Sequence, residues 1–569
     1  MKPNSSANAG EGKDSSKSCK KCPLLEVEFC SNVPILALSQ KLIPTFCSTS
    51  SKNGIGIKHL ISLSQQPMSV NKLPVEILQV IFKYLPVRDR IVASTVCRLW
   101  EQTAFSWPCL ENVELSVESS ACRNFTYQFL ESSQRRYRNL NLRFDQPLDY
   151  EQLLHLVQII RWFAESLERL TIEWCLPTAL DLEVILEILR SIPMLKELWI
   201  FDNNGFEGEL YESIELPVLY HLETMRVPIC LMDSECDWFK MAPNIKQLDV
   251  EFNGKQHPWE SIKSLNGKLR KFRIRTESRN NFRQLWTLKP VNLQELYIIR
   301  YSHDLFEHND FTVPEVSRFF SQCSTLTVLR LEVHVSIAVL QAIADNCSQL
   351  KSLLLYENDD GWRALSITKQ LKKLECLILM STFFDRYFPS LPELLLPSVK
   401  NLELTEPDLV DVPQFFNQLN RIMPNLGSLK LVHYNKTCDE AYEPTFLRSV
   451  LRSKLQKLER LILCEDSSGF PSHLFNQLNL LPNLKELRLI YGTLLPWSRS
   501  AIVPGIRRLS LDVPLSNFRM RTLLKLFPSL TRLDLFYWND PVDFHLQELH
   551  RIAPQCDLNY LKKQAFLED

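Results

Sequence analysis

Glycine is scarce in this chain, at 13 of 569 residues, about 2% against a usual ~7%. Loops that cradle phosphate need glycines at fixed offsets, and neither GxxxxGK[ST] nor GxGxxG occurs. HExxH is missing too. The 11 histidines are scattered, with no Ser/His/Asp, Cys/His or metal-ligand spacing. No sign of charge dominates: 65 Lys plus Arg stand against 66 Asp plus Glu, a net charge of −1. A nucleic-acid or acidic-membrane partner needs a basic excess, so neither is expected. No run of 18 apolar residues exists, so no membrane span is expected. The first residues, MKPNSSANAGEGKDSSKSCKK, lack the apolar stretch of a signal peptide. The 16 cysteines are spread singly apart from Cys19 and Cys22, and a zinc site needs four ligands. These absences predict a non-catalytic protein with no cofactor and no metal, its thiols reduced, in the cytoplasm, the nucleus or both.

What is present falls into stretches of different character. Residues 1–70 read as a leader or linker, and the Ser-, Lys-, Gly- and Asn-rich first 22 as disordered. Residues 71–109 read as a small helical module. Pro74 suits a first helical turn. Ile77, Leu78, Ile81, Phe82 and Leu85 then form one helical stripe. Pro86 stops that helix. Asp89 is placed to cap the next, which carries Ile91, Val92, Thr95, Val96, Leu99 and Trp100. A module of this size is marginal alone and should lean on a partner or neighbour.

Beyond residue 109 a repeat takes over, built on the unit LxxLxL. Fifteen copies run from Leu167/Leu170/Ile172 to Leu530/Leu533/Leu535, with steps of 22 to 33 residues. Weaker copies precede them at Leu110/Val113/Leu115 and Tyr137/Leu140/Leu142. The last two apolar positions of a unit sit two apart, so both point to one face of a short strand. Helical stretches lie between, one of them after a possible cap at Ser336. Many stop at a proline two residues before the next unit: Pro193, Pro243, Pro397, Pro424, Pro482 and Pro528, with Pro217 five residues before its own. One unit cannot bury its own core, so neighbours must stack. The expected fold is α/β, a solenoid of parallel strands with helices outside.

Residues 110–540 resemble the leucine-rich-repeat family. That family carries an Asn or Cys three residues after the strand motif, which ties successive turns together. Asn203, Asn253, Asn358, Cys175 and Cys230 match it, whereas His334, Pro407, Asp466 and Gly492 depart. The resemblance implies an irregular horseshoe over residues 116–540, with residues 541–569 as a C-terminal cap or tail.

Within 71–109 stand Leu73-Pro74-x-Glu76-Ile77-Leu78, Ile81-Phe82-x-Tyr84-Leu85, Arg88-Asp89 and Val96-Cys97-Arg98-x-Trp100. This stretch, taken as 71–115, is similar to an F-box. Arg90 departs, because the family often has an aliphatic residue there, and it is expected to loosen one packing contact. An F-box followed by leucine-rich repeats resembles the substrate receptors of SCF-type (Skp adaptor–cullin–F-box) ubiquitin ligases. The resemblance implies that the F-box docks on a Skp-family adaptor, which reaches a cullin indirectly, while the repeats hold a protein substrate for ubiquitination. The adaptor-binding residues it implies are Leu73, Pro74, Ile77, Leu78, Ile81, Phe82, Leu85, Val96 and Trp100. From the residues alone, Ile81, Phe82, Val96 and Trp100 could equally be the module's core, and the whole module could be a plain helical cap on the first repeat. A repeat scaffold working outside any cullin ligase is the other functional reading.

Strand alternation also gives the residues on the face opposite the apolar positions. Trp199, Tyr297, Ile299, Leu354, Tyr356, Ile378 and Met380 are large apolar groups expected to face water there. Either they bind a partner, or a long loop or the tail at 540–569 covers them, or the strand register slips in an irregular repeat. Lys271, Arg273 and Arg275 make a basic stripe on one strand, which either binds an acidic or phosphorylated segment or is paired within the sheet.

Overall fold

The computed structural model describes residues 73–85, 87–111, 113–119, 135–146, 150–176, 182–202, 216–227, 238–252, 259–276, 279–299, 313–357, 365–380, 394–405, 412–433, 455–465, 474–490, 502–511, 517–537 and 556–562. The expected leader at 1–70, Pro86, and the turn residues Asn203, Asn253, Asn358 and Cys230 lie outside them. The chain divides into two compact units: residues 1–113 with 117–136, and residues 114–116 with 137–569.

The described part of the first unit is helical. Helices α1 (Val75–Tyr84), α2 (Val87–Ser94), α3 (Arg98–Ala104) and α4 (Trp107–Leu110) follow in quick succession. Pro74 is the N-cap of α1 rather than its first helical residue, and its carbonyl accepts from the Ile77 and Leu78 amides. Asp89 does not cap α2 but sits within its first turn, where a negative charge suits the helix dipole.

In the second unit, seventeen strands from Asn139–Phe144 to Asp557–Lys562 pair parallel, each with its neighbours in chain order. All fifteen LxxLxL units place their last two apolar residues on strands of this sheet. Register follows the motif. Leu170 pairs with Leu198, Leu198 with Met225, Met225 with Leu248 and Leu248 with Phe272, and the same row runs on to Leu509 against Leu533. These residues are almost fully buried. The weaker copy at Tyr137/Leu140/Leu142 forms the strand Asn139–Phe144. The sheet also runs past residue 540, because Asp557–Lys562 pairs with Arg532–Tyr537. Its sequence, DLNYLK, lacks the full motif.

Turns between helix and strand are tied by a device the sequence reading missed. The side-chain amides of Asn244, Asn292 and Asn425 donate to the carbonyls of Tyr220, Gly267 and Pro397 in the preceding unit, at 2.8, 2.6 and 2.8 Å. Each asparagine directly precedes its unit's first apolar residue. Cys175 engages its neighbour through the backbone instead, its amide donating to the Phe144 carbonyl at 3.0 Å. Ser336 caps the helix Ile337–Asn346 as the sequence suggested, its hydroxyl accepting from the Val339 amide. Buried thiols such as Cys347 are pushed up by burial, there to about 12, and pack as neutral apolar groups. Among the described residues no helix is long and apolar enough to cross a membrane.

Candidate functional site

The helical unit has a small, closed core. Leu78, Phe82, Ala104 and Cys109 are buried together, with Leu73, Ile81, Leu85, Ala93, Trp100 and Phe105 packed around them. The Phe82 and Trp100 rings meet edge to face, with centroids 5.3 Å apart. Leu78 and Phe82, each 1% exposed, lie with their side chains inside this core, which for Phe82 is the second of the two readings its sequence left open. The α1 stripe explains this, because its two largest inward residues are the ones the other helices close over. Leu73, Ile81, Leu85 and Trp100 are half-buried, lining core and surface both. Pro74, Ile77 and Val96 are exposed.

Arg90 does the reverse of what the sequence suggested. It is buried, its Nε donates to the Leu85 carbonyl at 2.8 Å, and its Nη1 donates to the Cys109 carbonyl. The guanidinium thus joins the C-terminal end of α1 to α4 and occupies two carbonyls that would otherwise lie in an apolar interior. Replacing Arg90 by leucine, the kind of residue the family often has there, should leave both unmade. We expect a loss of about 2–3 kcal/mol, read as earlier unfolding of the helical unit in denaturant. Unchanged stability would show that the clamp contributes nothing.

The outer face of this unit is unusually apolar. Ile77 and Val80, each 48% exposed, and Tyr84, 78% exposed, recur at i, i+3 and i+7 and form a second stripe on α1. Val75, Val87, Val92, Val96, Leu99 and Trp107 are exposed as well. Nine of the 19 exposed large apolar residues in the described parts of the chain thus fall within residues 75–107. Such a concentration marks an interaction surface. The adaptor-binding set implied by the resemblance included Ile77 and Val96 and left out Val80, Tyr84, Val92 and Leu99. The signal was there, since two interleaved apolar stripes on one helix are one more than a core requires.

The exposed sheet face is more tightly knit than expected. Tyr297, Leu354 and Ile378 were expected to face water, yet they are 8%, 5% and 8% exposed. Adjacent strands stand only about 4.8 Å apart, so large side chains in one row cover one another. Trp199, Ile299, Tyr356 and Met380 are half-buried. Register puts Arg273 against Tyr297 and Leu354 against Ile378, whereas Trp199 lies on Glu197–Asp202, three strands from Arg273. The basic stripe is largely paired within the sheet. Lys271 meets Glu295 at 3.1 Å, and Arg275 and Arg273 meet Asp249 at 3.0 and 3.5 Å.

With this geometry in place, comparison with known proteins adds one match. Residues 70–107 match the F-box-like family model. Domains of that kind typically bind Skp1-type adaptors. No curated protein matches the chain as a relative.

Proposed function

We propose that this protein is the substrate-recognition subunit of an SCF-type ubiquitin ligase, and that residues 116–540 act as a leucine-rich-repeat solenoid that holds the substrate. The observation that carries the proposal is the exposed apolar surface on the F-box-like helices, centred on Ile77, Val80 and Tyr84. An adaptor that buries this surface would tether the chain to a cullin. The protein itself then performs no chemistry. It raises the local concentration of substrate lysines around a charged conjugating enzyme, and effective concentrations in the millimolar range suffice for that. The regular, chain-order sheet supports the second half of the reading, because stacked repeats present one long continuous binding face.

The test is recovery of partners from cells. The tagged chain is expected to bring down a Skp-family adaptor and a cullin. The double variant Ile77→Asp/Val80→Asp leaves the buried core untouched, and its recovery of the adaptor should fall more than about tenfold, as loss of central interface residues does. Adaptor without cullin would instead mean a scaffold acting outside a ligase. Recovery of neither, from protein shown to be folded, would leave residues 71–109 as a helical cap.

A further inference from the structure

One row of side chains crosses the exposed sheet face in strict register. It runs Arg226, Asp249, Arg273, Tyr297, Arg330, one residue from each of the strands Thr224–Val227, Gln247–Phe252, Lys271–Thr276, Glu295–Ile299 and Val328–His334. Arginines occupy every second place. The place between the first two holds a carboxylate: Asp249 forms an ion pair with Arg226 at 3.6 Å and accepts from Arg273 at 3.5 Å, with Arg275 joining from the next row at 3.0 Å. The place between the second two holds the Tyr297 ring.

At that place the row carries a ring and no carboxylate. Three cations converge on the Tyr297 ring: Arg273 at 4.8 Å from its centroid, Lys271 at 5.3 Å and Arg330 at 5.3 Å. Lys271 has Glu295, which also accepts from the Tyr297 hydroxyl at 2.9 Å. The other two have no such partner on this side. The Nε atoms of Arg273 and Arg330 are both buried, and neither has a hydrogen-bond acceptor. Among the described residues Arg330 makes no ion pair. Glu332, on the same strand, interacts electrostatically with Arg330, Arg273 and Arg275 while burial raises its pKa, but it comes within ion-pair distance of none of them. Buried donors of this kind are satisfied in nearly all native proteins.

We infer that the slot over Tyr297, between Arg273 and Arg330, receives the carboxylate of an aspartate or glutamate from a bound protein segment. The segment completes in trans the arginine–carboxylate–arginine pattern that Asp249 completes in cis one place earlier in the row. Charge-assisted bonds from planar guanidinium groups favour a carboxylate over a neutral amide of the same shape. The inference extends the receptor reading by naming the chemistry of the segment its sheet would hold.

The test uses the full chain, immobilised, and three pools of short random-sequence peptides that differ only at one central position: glutamate, glutamine or phosphoserine. The glutamate pool should be retained at least about tenfold more than its glutamine twin, and Arg273→Met and Arg330→Met should each remove that difference. Arg318→Met, on the exposed side of the helix Val313–Ser321, should change nothing. Equal retention of glutamate and glutamine would overturn the inference in the native protein, with no need of a variant. So would Arg330→Met behaving as wild type, or the phosphoserine pool being held tenfold more tightly than glutamate, which would assign the slot to phosphate. Adaptor recovery is measured separately, so failure of the slot and failure of the receptor reading cannot be confused.

Discussion

Truncating Phe82 to alanine is expected to unfold the helical unit while the parallel sheet survives. Phe82 is one of four residues that form the buried centre of that unit, and its ring meets Trp100. Removing a buried phenylalanine side chain typically costs about 3–5 kcal/mol, transfer and cavity terms together. A helical module of about 40 residues has no comparable reserve. Hydrogen exchange on the full chain would therefore show the α1 and α3 amides exchanging freely in Phe82→Ala, with amides of the central strands protected as before. Adaptor recovery should vanish with them. Ile77→Asp should separate the two roles, keeping wild-type protection of α1 and losing only the partner. Protection of α1 in Phe82→Ala would show that something outside the described core holds the unit together.

Asp534→Asn should produce the largest loss in the sheet. Its side chain is fully buried, and it accepts from Arg532 Nε at 2.8 Å, Arg508 Nε at 3.0 Å and Ser510 Oγ at 3.2 Å. The change leaves two guanidinium groups facing a neutral amide. Removing one partner of a buried pair costs about 3–5 kcal/mol, and here about 3, because Arg508 and Arg532 keep partial access to water. Acid should act in the same direction. Burial by itself would raise the pKa of Asp534, but hydrogen bonds from Arg532 and Arg508 outweigh it and hold the carboxyl below the usual range. Glu486 is likewise held low by Arg488, Arg460 and Arg508, against burial. A carboxyl whose pKa falls on folding contributes stability above its unfolded value, near pH 4, and loses it as pH drops through the folded value. Exchange at the strands Arg508–Leu511, Arg532–Tyr537 and Asp557–Lys562 should therefore rise below about pH 4 in the wild type. In Asp534→Asn it should already be raised at neutral pH. Identical profiles would mean that the network carries no stability.

The strands were legible in the sequence because their signal is repeated and local. Two apolar residues two apart, preceded by a third, recur fifteen times at steps of 22 to 33 residues, and each copy must lie on a strand for its neighbours to stack. The F-box-like helices were legible from a dense string of specific residues. What sequence could not divide was inside from outside within that string. Phe82 and Ile77 both belong to apolar patterns, and only the crossing of α3 and α4 over α1 decides that Phe82 is covered and Ile77 is not. Arg90 was misread for a related reason. A charged residue in an apolar string suggests looser packing, yet its side chain reaches two carbonyls, at Leu85 and Cys109, whose orientation depends on how the helices end. On the sheet, alternation gave the correct face for Tyr297 but said nothing of how far its neighbours in the row would cover it.

Because the described strands of the parallel sheet pair in chain order, the strands described at its two ends do not pair with one another. The sheet should respond to damage or to a ligand as a row of links, each feeling little beyond its neighbours. A segment clasped near Tyr297 would steady the strands beside it and leave the final strand, Asp557–Lys562, as free to fray as before. A shift in overall melting temperature would therefore be a poor detector of binding, and site-resolved protection near Arg273 and Arg330 a good one.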